Sequence, residues 1–196
     1  MSSISVAGDS SGSITIAAPV VAGSGTLTLP VATDTLVGKA TTDTLTNKTL
    51  GTGTVFPAGA VLQVVQGSYA TQTTNSTSTY ADTGLTATIT PKFNTSKILV
   101  LISHPENVKT AGNAGNAHNL QLLRGATVVS IFNLDLGYVG VAGAGYYSAS
   151  FNYLDSPATT SATIYKTQFK NNANASLIGV QYGGTPSTIT LMEIAG

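Results

Sequence analysis

The sequence predicts an all-β protein, and three observations lead to that prediction. Threonine is the commonest residue and glycine occurs 21 times, a composition that favours strands joined by turns over helices. Short runs alternate apolar and polar residues with the period of two that a strand with one buried face requires. Only 8% of the residues are charged, and the net charge is zero. Faces of the molecule can therefore pack on copies of themselves without desolvating ions.

Aromatic residues divide the chain into two regions. All eight tyrosines and all five phenylalanines follow residue 55. We therefore predict an extended N-terminal arm over residues 1–58 and a β-sandwich head over residues 59–196. The arm repeats two short motifs, which start at Gly12, Gly25, Thr33 and Thr42. Small aliphatic residues alone cannot build a core, so we expect the arm to order against other chains or the head. A disordered tail is the alternative.

The head contains nine candidate strands, which are separated by turn residues. The turn chemistry is clearest at Arg124-Gly125-Ala126 and at Asp155-Ser156-Pro157. This spacing is typical of a sandwich of two sheets. The candidate strands span residues 61–69, 78–90, 97–103, 118–124, 127–133, 146–154, 162–169, 176–182 and 187–194.

Alternation assigns faces to individual strands. The odd positions from Tyr147 to Tyr153 are Tyr, Ala, Phe and Tyr, whereas the even positions between them are polar. Strands 97–103 and 187–194 are apolar on both faces, which a single sandwich does not cover. A trimer supplies the second cover, so we predict a homotrimer with the last strand at its axis. The residues predicted to pack at that axis are Ile189, Leu191, Met192 and Ile194.

The residue types exclude several classes of function. The chain has no cysteine, which excludes disulfides, thiolate metal sites and cysteine nucleophiles. It has no basic stretch to neutralise phosphates, so nucleic acid is not an expected partner. An apolar stretch of membrane-spanning length and a signal-peptide pattern are also missing from the sequence. We therefore expect no nucleic-acid binding and no insertion into a membrane.

Motifs that resemble catalytic sites lack a required partner. Residues 8–12 (GDSSG) are similar to a serine-hydrolase segment, but the arm has no core to hold an oxyanion hole and a histidine. The carboxylates are scattered, without the pair that glycosidase chemistry needs. His104 and His118 flank the loop 105–117 and, with Glu106, are a weak candidate for a metal site; polar rim positions are the alternative. We predict no enzyme, no metal and no cofactor.

Two loops of the head are candidates for binding a host surface glycan, namely residues 104–118 and 137–146. Tyrosine stacks on sugar rings and asparagine forms hydrogen bonds with hydroxyl groups. The alternative is that these residues fill turns and that the tyrosines belong to the core. The candidate receptor-facing residues are Tyr138, Tyr146, Asn113 and Asn116.

Six segments along the whole chain are distinctive, namely 12–19 (GSITIAAP), 25–30 (GTLTLP), 44–50 (TLTNKTL), 121–128 (QLLRGATV), 153–163 (YLDSPATTSAT) and 187–194 (STITLMEI). They resemble fibre-like virion proteins of tailed phages, especially marine ones. The resemblance implies an appendage of the virion, on the tail or on the capsid surface. It also implies a trimeric jelly-roll head similar to those of tumour necrosis factor and the complement globular heads.

We therefore expect a homotrimeric fibre or spike that is a structural part of the virion. Residues 1–50 are expected to attach it to other virion proteins, and the head to face host surface glycan. One alternative is a capsid decoration or head fibre protein with no specific receptor. Another, of a different class, is a lectin-like or glycan-cleaving module.

Overall fold

The computed structural model of the chain describes residues 3–7, 11–17 and 54–196. The chain divides into two compact units, Met1–Gly51 and Thr52–Gly196. Within the described ranges, no helix is long and apolar enough to span a bilayer.

The described part of the first unit is one antiparallel strand pair. It joins β1 (Ser3–Ala7) to β2 (Ser13–Ala17), with Ile4 opposite Ile16. The second strand falls on the first predicted repeat, where aliphatic residues alternate with threonine and serine. The remaining repeats of the predicted arm lie outside the described residues.

The described part of the second unit contains ten strands and one turn of 3-10 helix. The strands are β3 (Val61–Tyr69), β4 (Thr73–Asn75), β5 (Ala81–Ile89), β6 (Lys97–Lys109), β7 (His118–Arg124), β8 (Thr127–Leu136), β9 (Gly145–Asp155), β10 (Thr163–Asn171), β11 (Ile178–Val180) and β12 (Ser187–Ile194). The 3-10 turn covers Tyr182–Gly184.

Eight of these strands form two four-stranded antiparallel sheets. One sheet has the order β5-β10-β7-β8, and we call it the β7 sheet. The other has the order β3-β12-β6-β9, because β6 pairs with β12 along one edge and with β9 along the other. We call it the β6 sheet, and the short strands β11 and β4 extend it beyond the end of β12. The order confirms the predicted all-β sandwich with a jelly-roll-like arrangement.

The inward faces of the two sheets form the core. One cluster of buried residues comprises Leu85, Ala87, Ile89, Ile98, Val100, Ile102, Leu122, Tyr165, Ile189 and Leu191. A second cluster comprises Leu120, Ala149, Phe169, Ile178 and Val180. Each fully buried Leu or Ile contributes about 1.5–3 kcal/mol through removal of apolar surface from water. The sandwich is therefore stabilised mainly by aliphatic packing between the sheets.

The predicted axial packing of the last strand is wrong for two of its four residues. Ile189 and Leu191 are fully buried inside the sandwich, where they pack in the first core cluster. Met192 and Ile194 alternate with them and are partly exposed on the outer face. The prediction places residues of both faces at the axis, whereas successive residues of a strand point to opposite faces and only one face can meet an axis.

The predicted faces of β9 are confirmed. Ala149 is buried, and Phe151 and Tyr153 pack against the core. The serines and asparagine between them are exposed. Phe132 of β8 stacks on Phe151 with ring centroids 4.9 Å apart, so an edge strand of the β7 sheet closes against an edge strand of the β6 sheet.

A partly buried ion pair joins the two sheets, with Asp155 buried and Arg124 partly exposed. The guanidinium of Arg124, at the end of β7, donates to both carboxylate oxygens of Asp155 in β9, at 3.0 and 2.8 Å. The hydroxyl of Tyr165 in β10 donates to the same carboxylate at 2.6 Å. Burial, followed by the neighbouring Asp155 carboxylate, raises the pKa of Tyr165 well above its ordinary value. The tyrosine therefore stays a hydrogen-bond donor.

Glycines allow β3 to approach β5 at one side of the sandwich. A Cβ atom on Gly67 would lie 2.0 Å from the carbonyl oxygen of Thr86. Gly84 has φ +85° and lies under the ring of Tyr69, which a side chain would displace. The two sheets therefore meet closely only because both positions are glycine.

Candidate functional site

The outer face of the β6 sheet carries rows of similar residues across its four strands. Pairing between the strands places one aliphatic row, one mixed row and one hydroxyl row side by side. The aliphatic row is Val64, Met192, Leu99 and Leu154; the mixed row is Gln66, Thr190, Leu101 and Asn152; the hydroxyl row is Ser68, Thr188, Ser103 and Ser150. Val64 is 56% and Leu154 is 51% exposed, so the aliphatic row lies open to solvent.

This outer face is almost free of charge. Beyond the aliphatic row, the register places Ile194 opposite Lys97, which is exposed. Among the outward residues of these rows, all of which the structure describes, Lys97 alone is ionisable. A charge-poor face with exposed aliphatic side chains can be buried without desolvating ions.

The outer face of the β7 sheet has a different chemistry. Lys166 forms an ion pair with Asp82 at 2.9 Å, and Gln168 donates to the same carboxylate at 2.7 Å. Gln121 donates to Gln168 at 2.8 Å, which extends the network to the neighbouring strand. Exposed aliphatic residues occur here as well, on the edge strand β8 and at Ile164 of β10.

A two-residue bulge interrupts β6 at the other end of the β6 sheet. His104 lies opposite Ala149 and Asn107 lies opposite Tyr147, so Pro105 and Glu106 face a single residue of β9. The side-chain amide of Asn107 donates to the carbonyl of His104 at 2.8 Å and closes the bulge. Glu106 has φ +52°, an uncommon conformation for a residue with a side chain. Bulges of this kind redirect side chains at sheet rims and binding sites.

Tyr146 and Tyr182 are in ring contact near this bulge, and together with Glu106 of the bulge we call these three residues the bulge site. The ring centroids of Tyr146 and Tyr182 are 5.1 Å apart, with the planes tilted by 52°. Tyr146 is 58% and Tyr182 is 40% exposed. A hydrogen bond to Tyr182, together with its charge, raises the pKa of Tyr146, and Glu106 contributes in the same direction. The pair therefore presents neutral rings beside an acid.

A buried hydrogen-bond network holds Tyr182 in place. Gln181, in the left-handed conformation at φ 56°, directs the chain into the 3-10 turn. Its side-chain amide donates to Ser187 at 3.1 Å, and the Ser187 hydroxyl lies 2.8 Å from Nδ1 of His104. Nε2 of His104 lies 3.0 Å from the hydroxyl of Thr167 in the β7 sheet. The network therefore runs from the core of the sandwich to the residue that precedes Tyr182.

Both histidines belong to the core, so their predicted position at the rim of a loop is wrong. Both nitrogens of His104 are occupied by hydroxyl groups, and burial lowers the pKa of His104 to about 4, with the charge of His118 as a smaller cause. Burial also lowers the pKa of His118, whose Nε2 lies 3.0 Å from the carbonyl of Gly179. Within the described part of the chain, no three metal-ligating side chains come together.

The predicted receptor-facing residues fall in three different environments. Tyr146 belongs to the bulge site, and Tyr138 is 55% exposed on a separate loop. Asn113 is half-buried, and its side-chain oxygen accepts from the amide of Gly115 at 2.6 Å. The prediction for Asn116 is wrong, because it is fully buried, donates to Thr110 and accepts from Asn171 at 2.8 Å. Both the nitrogen and the oxygen of its side-chain amide therefore form hydrogen bonds that hold the loop.

Tyr182 and Glu106 are not among the residues predicted to face a receptor. Tyr182 ends a predicted strand, and Glu106 lies in one of the two candidate binding loops, where it is considered only as a metal ligand. A signal was present in the Pro105-Glu106 pair, since a proline within a long apolar strand pattern marks a bulge or an edge. No signal in the sequence could show that residues 36 positions apart, Tyr146 and Tyr182, share a surface.

No protein-family model and no curated protein matches the chain.

Proposed function

We propose that the chain is a non-enzymatic structural protein of a phage virion, a homotrimeric fibre or spike whose head faces the host surface. The observation that carries this proposal is the outer face of the β6 sheet, which combines an exposed aliphatic row with almost no charge. A monomer in solution gains nothing from keeping such a face open, whereas an assembly buries it.

The trimer is proposed over other assemblies because the resemblance of the chain's segments to fibre-like virion proteins implies a trimeric head. A closed ring of three brings the same sheet of each copy to a common axis and leaves the second sheet outside. The charge-poor outer face of the β6 sheet suits the axis, and the outer face of the β7 sheet, with its ion pair, suits contact with water. Met192 and Ile194, two of the residues predicted for the axis, lie on the outer face of the β6 sheet, which the proposed trimer would bury. The trimeric jelly-roll head that the resemblance implies has the same arrangement.

A structural role is supported by the contacts of three of the five carboxylates that the structure describes. Asp82 is paired with Lys166, and Asp155 with Arg124. Glu193 is buried, where it accepts from the hydroxyl of Ser96 and from a backbone amide, each at 2.7 Å. Hydrolysis of a glycosidic bond needs two carboxyl groups that face one substrate, and these three are committed to structural contacts.

The mass of the purified full chain in solution tests the assembly. Sedimentation equilibrium or light scattering should give three times the 19.8-kDa mass of one chain. A stable monomer at micromolar concentration would remove the reason for treating the β6 face as an interface. A dimer would keep the face as an interface but overturn the closed ring of three.

The position on the virion is tested by imaging. Gold-labelled antibody against the head, or a reconstruction of the virion, should place the protein on an appendage of the tail, with its N-terminal region at the virion side. Density at the capsid capsomers would instead favour the capsid decoration protein. Absence of the protein from purified virions would overturn both.

A further inference from the structure

We infer that the bulge site is a binding site for a neutral hexose of a surface glycan. The inference rests on the proposed function in one respect, because it names the ligand that the exposed head would meet. Its geometry is independent of that function. Two exposed tyrosine rings are in contact with each other beside a strained bulge of the β6 sheet, and the bulge carries the carboxylate of Glu106.

The chemistry of the bulge site suits a pyranose ring. The faces of Tyr146 and Tyr182 offer apolar surface that can stack on the C–H groups of a sugar, with a phenolic hydroxyl at each edge. Glu106 is an acceptor for two sugar hydroxyl groups. Ser148, the residue of β9 opposite the bulge, adds an exposed hydroxyl on the same outer face.

The charges at the bulge site exclude acidic sugars. Glu106 would repel a sialic acid, a uronic acid or a phosphorylated core sugar. Lys109, further along β6, cannot offset that repulsion, since it is fully buried and its ammonium donates to the carbonyl of Gly137 at 2.9 Å. The ligand class is therefore an uncharged hexose.

The bulge site is preorganised, which lowers the entropy lost on binding. Glu106 and Gln181 both adopt positive φ, which is a strained backbone conformation for residues with side chains, and Gln181 directly precedes Tyr182. The network of Gln181, Ser187 and His104 compensates part of that strain. Strained residues of this kind persist where the surrounding structure fixes a functional geometry.

The bulge site is separate from the aliphatic row. Tyr146 and Leu154 lie eight positions apart on β9, which corresponds to about 26 Å along a strand. The hydroxyl row lies between them. Self-association through the aliphatic row therefore leaves room for a ligand at the opposite end of the sheet.

The experiment is a glycan array probed with the full chain, followed by titration of the strongest neutral ligand against variants. We expect Tyr146→Ala and Tyr182→Ala to weaken binding at least tenfold, Tyr182→Phe to retain most of it, and Glu106→Gln to weaken it severalfold. Tyr138→Ala is the matched control, because it removes an equally exposed tyrosine outside the bulge site and should leave binding unchanged.

Solution mass and thermal midpoint are measured for every variant. A trimer that binds no neutral glycan, or only acidic ones, overturns the bulge site and leaves the structural function standing. Loss of the trimer in Tyr146→Ala or Tyr182→Ala would assign the pair to the subunit interface and overturn the site as well. Equal loss of binding in Tyr138→Ala would place the ligand on the other loop.

Discussion

The outer faces of the two sheets have the same strand geometry and both expose aliphatic residues, but they differ in charge. On the β7 sheet, Asp82, Lys166 and Gln168 form a network that is satisfied while it remains in contact with water. On the β6 sheet, the aliphatic row and the hydroxyl row leave a surface with almost no charge. Since both faces are open in one chain, the difference indicates which of them an assembly would cover.

The most disruptive test of this contrast is a charge in the aliphatic row. Leu154→Lys should dissociate the trimer, because each contact would bury an unpaired ammonium at a cost of about 3 kcal/mol or more, a hundredfold in affinity. Sedimentation equilibrium measures the change. Ile164→Lys is the matched control, since Ile164 is 48% exposed on the β7 sheet. Equal dissociation of both variants, or of neither, would show that the two faces do not differ in this way.

Substitutions at the Arg124–Asp155 ion pair test how much polar contacts between the two sheets contribute to stability. Asp155→Asn leaves Arg124 without its charged partner, and we expect a loss of about 3 kcal/mol in the free energy of unfolding, read from urea denaturation. Tyr165→Phe removes one hydrogen bond to the same carboxylate and should cost about 2 kcal/mol. Values below about 0.5 kcal/mol for Asp155→Asn would mean that the sheets are joined by apolar packing alone.

Acid should lower the stability of the core around His104 at a higher pH than it breaks the Asp82 network on the β7 sheet. His104 has a pKa of about 4 in the folded chain and 6.5 in the unfolded chain, so the unfolded state binds more protons between these values. Stability is therefore full above about pH 6.5 and declines as the pH falls towards 4, by at most about 3 kcal/mol. The buried His118 adds to the loss in the same direction. The pKa of Asp82 is lowered, so the network on the β7 sheet persists to more acidic pH.

Urea midpoints at several pH values between 7.5 and 4.5 measure this effect. The control is His104→Gln, which keeps hydrogen-bonding groups in the core but cannot titrate. It should be less stable at pH 7.5 and show a shallower decline with acid. An unchanged slope in the variant would assign the acid sensitivity to other groups.

The smallest effect is expected on the solvent-facing network. Asp82→Ala breaks an exposed ion pair and one hydrogen bond, and such pairs contribute at most about 1 kcal/mol. Thermal unfolding should shift by a few degrees at most, and the solution mass should stay that of the trimer. A large loss of assembly would show that the β7 face, and not the β6 face, lies at the interface.

Strand positions could largely be predicted from the sequence. The bounds of β3, β7 and β12 match the predicted strands residue for residue. In each of them a run of strand-forming residues is bounded by turn residues such as Gly125. β4 was missed because Thr73–Asn75 is short and polar and has no periodic signal of its own.

The end of β6 could not be predicted for a physical reason. The strand was expected to stop at residue 103, before a proline, whereas it continues to Lys109. A bulge absorbs Pro105 and Glu106, and the backbone then resumes its pairing with β9. Whether a proline ends a strand or bulges it depends on the partner strand, which local sequence does not specify.

The candidate site was predictable only in part. Tyr146 was predicted to bind because a tyrosine in a glycine-rich loop can stack on a sugar ring, and it is exposed. Asn116 was predicted from its loop in the same way, yet it is buried, because Thr110 of the same loop and the distant Asn171 form hydrogen bonds with its amide. Local composition therefore selected one exposed residue and one buried residue with the same reasoning.

Alternation and turn residues, which are local properties, were enough to determine an all-β chain, most strand positions and the two faces of β9. Tertiary structure alone decided which face of β12 meets the core, because alternation separates two faces without naming the one that a second sheet covers. It also brought Glu106, Tyr146 and Tyr182 together. Strand pairing joins residues that are far apart in the sequence, so the paired strands are known only from the folded sheets.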